Sequence, residues 1–224
     1  MHLEVGHRNT GFGAVRDSWE TTFGDPDGTA LLVIDMQNDF VADGGVMDRV
    51  GTDLRAAQAI IPTAATLIEA ARDIGVLVVF VKNTNLPFGR STGEAELARR
   101  LSREIPADIT LAGSWGAQLI PQLQLRDGDV VVTKHRRSGF FSTDLDMVLR
   151  ANRRDAVVCV GLATPACVLA TALDATHRDL FSFVAQDCVA GYSEQLHEAA
   201  MAVLRTHVTG VVTADILRSR WASR

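Results

Sequence analysis

Residues 156–175 read "AVVCVGLATPACVLATALDA". The first seven form a short, valine-rich apolar run, the composition of a strand buried on both faces. Thr164 then suits a helix N-cap and Pro165 the first helical position, where its missing N–H costs nothing. The alanine-rich segment after them reads as a helix with Cys167 as its third residue. A buried strand feeding a helix through a short turn is half of a parallel βαβ unit.

The same alternation runs along the whole chain. Apolar runs at 30–36, 76–83, 129–135, 156–162, 181–187 and 208–214 predict six strands. Between them, helical patterns cover 53–75, 93–105, 142–153 and 193–207. Pro62 marks a break or a first turn in the first of these, Gly75 stops it, and Ser142 or Thr143 caps the third. Strands separated by helices imply an α/β fold of three layers, with a six-stranded parallel sheet between helices. No repeat, low-complexity tract or linker interrupts the pattern. The 224 residues read as a single domain, 1–224, with 1–25 forming an N-terminal arm.

Composition excludes several classes of function. The net charge of −5 speaks against nucleic acid, which needs clustered Lys and Arg. No apolar run reaches the roughly 18 residues that span a bilayer, and the first 20 lack the apolar core of a signal peptide. Three cysteines cannot all pair within the chain, which fits a reducing cytoplasm.

In doubly wound sheets, ligands bind beyond the carboxyl ends of the strands. Three chemically capable residues fall there: Asp35 after the first run, Lys134 at the end of the third, and Cys167 after the fourth. Each has a bland explanation as cap, solvated lysine or small core filler. Cys167 stands apart because a helix start offers free N–H groups and a positive dipole end. That setting is expected to lower a thiol pKa and to hold an oxyanion. Cys159 and Cys188 lack such placement and read as structural.

The segments "LLVIDMQNDF" (31–40), "VVVTKHRRSGFFSTDLDMVLR" (130–150) and "VCVGLATPACVLATALDA" (158–175) resemble the isochorismatase-like cysteine hydrolases, in order and spacing. The resemblance runs from about residue 29 to residue 215 and is nearest in look to the ureidoacrylate amidohydrolase subgroup. It implies strand order 3-2-1-4-5-6 and a catalytic set of Asp35, Lys134 and Cys167. It also implies a cis peptide at Leu162–Ala163 and an oxyanion hole from the N–H groups of Ala163 and Cys167. In that order Lys134 sits two strands from Asp35 and must reach inward. Pro165 departs from the Asn, Asp or Ser common there.

Within that resemblance, the nicotinamidase-like members carry an Asp/His/His metal site in the loop after the second strand. Here the loop, "VKNTNLPFGRSTGEAE" (81–96), contains no histidine, and "HEAAM" (197–201) fails the H-E-x-x-H zinc pattern. Neither metal nor organic cofactor is expected. The nucleophilic cysteine favours amide or ureido bonds over the vinyl ether cleaved by isochorismatases. The expected activity is therefore cysteine-dependent hydrolysis of a small ureido, carbamoyl or primary amide, through a thioester with release of ammonia. Asn83 and Arg137 are candidate polar contacts to the substrate and Phe40 a pocket wall, while "GSWG" (113–116), with Trp115, reads as loop packing at least as readily as substrate contact. The alternatives are a vinyl-ether hydrolase using Asp35 as general acid, and a non-catalytic binding protein on the same fold. Apolar helices at 165–178 and 193–207, with the resemblance, imply a homodimer or homotetramer with the 165–178 helix at or near an interface.

Overall fold

The computed structural model describes residues 25–222. The arm expected over 1–25 lies outside the described residues except for Asp25. In chain order the elements are β1 (Thr29–Ile34), α1 (Asn38–Val41), α2 (Val46–Arg49), α3 (Arg55–Ala59), α4 (Ile61–Asp73) and β2 (Leu77–Asn83). Then come α5 (Glu94–Leu101), β3 (Val130–Lys134), α6 (Leu145–Ala151) and β4 (Ala156–Leu162). A π-helical turn (Thr164–Val168), α7 (Leu169–Thr176), β5 (Phe181–Ala190), α8 (Glu194–His207), β6 (Gly210–Val212) and α9 (Ala214–Ala222) complete the fold.

The six strands form one sheet in the order 3-2-1-4-5-6, with every pairing parallel. All six residues of β1 are buried, as its unbroken apolar run requires. Its alternation divides the core in two. Leu31 and Val33 pack with Leu67 and Ile68 of α4 and Leu217 of α9 on one face. Ala30, Leu32 and Ile34 pack with Leu149 of α6, Ala172 of α7 and Leu204 of α8 on the other. The strand order reverses between β1 and β4, so a crevice opens beyond their carboxyl ends.

The helical pattern over 53–75 is two helices, with Pro62 in the first turn of the second, in keeping with its reading as a break or a first turn. Two local expectations are corrected. At the third helix Asp144 occupies the cap position with no side-chain bond. Ser142 has φ 54°, while the Thr143 hydroxyl donates to the Gly139 carbonyl and accepts only the Leu145 N–H. Local hydrogen bonding within the 138–145 loop outcompeted capping. Finally, Thr164 does not cap the helix after β4. It lies inside the π-helical turn, and its buried hydroxyl meets His197 Nδ1 at 2.9 Å.

Candidate active site

Asp35 ends β1 by adopting φ 52°, which takes its side chain out of the strand's alternation and over the end of the sheet. Its Oδ2 lies 2.8 Å from Lys134 Nζ, although β2 runs between their strands. Lys134 spans that gap because its side chain is fully buried and extended inward. Its ammonium also donates to the Arg136 carbonyl at 3.1 Å and to Cys167 Sγ at 3.3 Å. One lysine thus joins the other two residues that the sequence singled out. Burial alone would push the Lys134 ammonium down, but the Asp35 carboxylate, and the Cys167 sulfur once it is ionised, outweigh it and hold it above 10.5.

Cys167 sits in the π-helical turn, where the N–H groups of Ala166 (2.9 Å) and Val168 (3.3 Å) both donate to the Ala163 carbonyl. The Cys167 N–H lies between these donors in sequence and does not join them. The Leu162–Ala163 peptide before the turn is cis. The expectation of a lowered thiol pKa is overturned. Burial first, and the Asp35 carboxylate second, push the Cys167 thiol up to about 12 against the pull of Lys134. Desolvation and a facing anion outweigh what the end of a short turn can supply. The resting sulfur therefore carries its proton. Pro165 fits this turn because Gly191 leaves room: a Cβ there would stand 3.1 Å from Pro165 Cδ.

Asp35 and Cys167 line a cavity of about 460 Å³, with Lys134 buried behind them, and the lining also includes Asn83, Phe40, Arg137, Ala163 and Tyr192. The structure places all three expected substrate contacts on its wall. Asn83 Oδ1 accepts from the Thr110 hydroxyl at 2.9 Å, which orients the amide and leaves Nδ2 without a partner among the described residues. Phe40 is half-buried, and its carbonyl accepts the Tyr192 hydroxyl at 2.9 Å. Arg137 is exposed, 3.9 Å from Glu96.

Sequence reasoning missed Gln37. Its buried side chain accepts the Asn83 N–H (2.8 Å) and donates to the carbonyls of Asn83 (2.8 Å) and Ala117 (2.9 Å). The same Asn83 N–H reaches Asp35 Oδ1 at 2.9 Å, so Gln37 fixes the backbone group that orients Asp35. It also missed the arginines of "LARRLSR" (97–103), although Arg99 and Arg103 are four residues apart, the spacing of one helix face. Both line the cavity.

Trp115 is 50% exposed and does not line the cavity, so "GSWG" is loop packing. The reason is Asp39, whose buried carboxylate accepts the N–H groups of Val46 (3.1 Å) and Thr110 (2.6 Å). A Cβ at Gly116 would meet that carboxylate. Gly116→Ala is therefore expected to displace Asp39 and destabilise the protein by roughly 2–4 kcal/mol through two orphaned buried donors. Urea denaturation measures it, and an unchanged midpoint would contradict this account.

The Isochorismatase domain family model matches residues 29–216, and the chain belongs to that family. It is an isochorismatase-family hydrolase. It is 35% identical over 194 residues to the ureidoacrylate amidohydrolase RutB of Methylobacterium radiotolerans, covering 81% of this chain and 75% of that one. A cysteine hydrolase from Pseudomonas syringae pv. phaseolicola is 25% identical with a TM-score of 0.80, over 89% of this chain and 94% of that one. N-carbamoylsarcosine amidase from Thermoplasma acidophilum is 29% identical with a TM-score of 0.68, over 84% and 96% respectively. No group of three or more metal-capable side chains occurs among the described residues, and no helix there is long and apolar enough to cross a membrane.

Proposed function

We propose that this chain hydrolyses the C–N bond of a small ureido or carbamoyl compound, of the ureidoacrylate type, through a thioester on Cys167 and with release of ammonia. The observation that carries this reading is the buried lysine in contact with both Asp35 (2.8 Å) and Cys167 (3.3 Å), the two of the three that line the cavity. The relatives named above support the bond type.

The chemistry follows from the protonation states. Asp35 accepts the thiol proton as sulfur attacks the carbamoyl carbon, so the sulfur need not be charged at rest. Lys134 stays protonated and stabilises the negative charge as it moves from carboxylate to sulfur. The carbonyl electrons become an oxyanion, which rests on the N–H groups of Ala163 and Cys167. Collapse of that intermediate breaks the C–N bond, and Asp35 returns its proton to the departing ammonia. Water, deprotonated by Asp35, then cleaves the thioester and restores the thiol. Asn83 Nδ2 donates to the substrate's carbonyl or carboxyl oxygen, a role supported by the anchoring of its Oδ1 on Thr110, and Phe40 forms an apolar wall.

A panel of ureides, carbamoyl acids, primary amides and a vinyl ether, read by ammonia and pyruvate release, tests the reading. Ammonia from at least one ureide or carbamoyl acid is expected, and pyruvate release alone would refute it. We also propose that no metal takes part. Dialysis against EDTA is expected to leave turnover and melting temperature unchanged, and stoichiometric zinc or iron in untagged protein would overturn that.

A homodimer or homotetramer is part of the same proposal. Thr171, Ala172 and Ala175 of α7 are spent in the chain's own core, but Leu196 and Val203 of α8 are 56% and 40% exposed. Leu196 also lines the cavity, so a neighbouring chain on α8 would border the substrate. Light scattering is expected to exceed the 24.2 kDa of one chain, and a monomer at micromolar concentration would refute the assembly.

A further inference from the structure

The chain carries a net charge of −5, yet its cavity is lined by Arg99, Arg100, Arg103, Arg136 and Arg137. Against them stand Asp35, already paired with Lys134, and one further carboxylate, Glu96. Glu96 is consumed locally. It holds Arg99 in a two-bonded fork (2.8 and 2.6 Å) and accepts from Arg100 Nε at 3.0 Å. The hydrogen bonds from Arg99, first, and from Arg100, against the opposing effect of burial, hold the Glu96 carboxyl down to about 2. It therefore stays ionised at any working pH.

Arg103 and Arg136 are different, because each is positioned without being neutralised. Arg136 donates through Nη1 to the carbonyls of Ser91 (2.8 Å) and His135 (2.7 Å). Arg103 donates through Nη1 to the Arg99 carbonyl at 3.2 Å. In both, Nε and Nη2 have no partner among the described residues, and these form the edge that grips a carboxylate with two parallel bonds. Both side chains are exposed, and these bonds hold them at the rim of one concavity. A cleft lined by one sign of charge concentrates ligands of the other.

We propose that Arg103 and Arg136 are specificity-determining residues that receive a carboxylate at the substrate end away from the scissile C–N bond, so the pocket selects ureido or carbamoyl acids over their neutral amides. The assignment rests on the hydrolase reading above. Glu96 acts as a positioning residue that fixes Arg99 and Arg100 and leaves the other two guanidinium groups for the ligand.

The test compares 3-ureidopropionate with 3-ureidopropionamide, identical but for the carboxylate. Binding to Cys167→Ala protein is measured by calorimetry at 50 and 500 mM NaCl, and ammonia release is measured separately on the unsubstituted enzyme. The acid is expected to bind at least about tenfold more tightly at low salt, as a charge-assisted fork implies. Only its affinity should fall at high salt. Adding R103Q and R136Q together should bring the acid-to-amide ratio close to one. Equal binding of the two compounds, binding of neither, or a ratio that survives both substitutions would overturn the proposal. Preference for the acid without ammonia release from any ureide would leave the arginine assignment standing and sink the hydrolase reading. Ammonia release from both compounds with equal kcat/KM and equal affinity would do the reverse.

Discussion

Replacement of Cys167 by alanine is expected to lower kcat at least about 10³-fold, because the thioester route has no substitute nucleophile. Cys159 is fully buried within β4 and Cys188 within β5, both away from the cavity. The fold should survive the change. Lys134 loses its contact with sulfur but keeps Asp35 and the Arg136 carbonyl, so the cost is about 1 kcal/mol, that of one hydrogen bond. Near-normal ammonia release by the variant would remove the thioester mechanism and leave Asp35 as an acid–base residue only. Substitution is a cleaner probe than alkylation. With the thiol pushed up to about 12, little thiolate exists at pH 7 to meet iodoacetamide, and labelling should accelerate steadily toward pH 10. Fast labelling at pH 7 would show that the sulfur rests as a thiolate.

The second large effect is expected at Lys134, where activity and stability should fall together. Lys134→Met keeps the length and apolar stem but strands the Asp35 carboxylate, which is 2% exposed. Breaking a buried pair on one side costs about 3–5 kcal/mol, visible as a lower urea midpoint. Loss of the charge beside the moving proton should also reduce kcat by about 10²-fold or more. The pH dependence has a definite sign. The folded-state pKa of Lys134 is raised above 10.5, so its stabilisation is fully present below 10.5 and is lost as pH rises through the folded value. The stability gap between wild type and variant should therefore stay constant from pH 6 to 9 and close above about 10.5. A gap that widens at high pH, or a variant as stable as wild type at pH 7, would contradict the buried pair.

The sequence by itself determined the alternation of strands and helices, because a strand buried on both faces must be apolar without interruption and its helices must be amphipathic. The runs at 76–83, 129–135 and 156–162 coincide with β2, β3 and β4 to within one residue. Asp35, Lys134 and Cys167 were legible because parallel sheets bind ligands at their carboxyl ends, and each stands at or just past one. Short helices escaped: α1 and α2, four residues each, offer too few positions for a period to show.

Whatever depends on how remote segments meet was decided by the tertiary structure alone. The helix start at Thr164–Val168 pointed to an activated thiolate, but the thiol's charge is set by desolvation and by Asp35, distant in the chain and adjacent in space. Thr164 looked like a cap until His197 claimed its hydroxyl. Gln37 carried no signal, since a buried amide is recognisable only by the carbonyls it bridges, Asn83 and Ala117. The arginines on and after α5 went unremarked within a helical pattern. Only the packing of that segment against the loop after β3 turned them toward one cavity and left two guanidinium edges without a partner among the described residues. Periodicity is a local property and survives in the sequence. Charge state and pairing depend on distance and dielectric, which arise only when the chain has closed on itself.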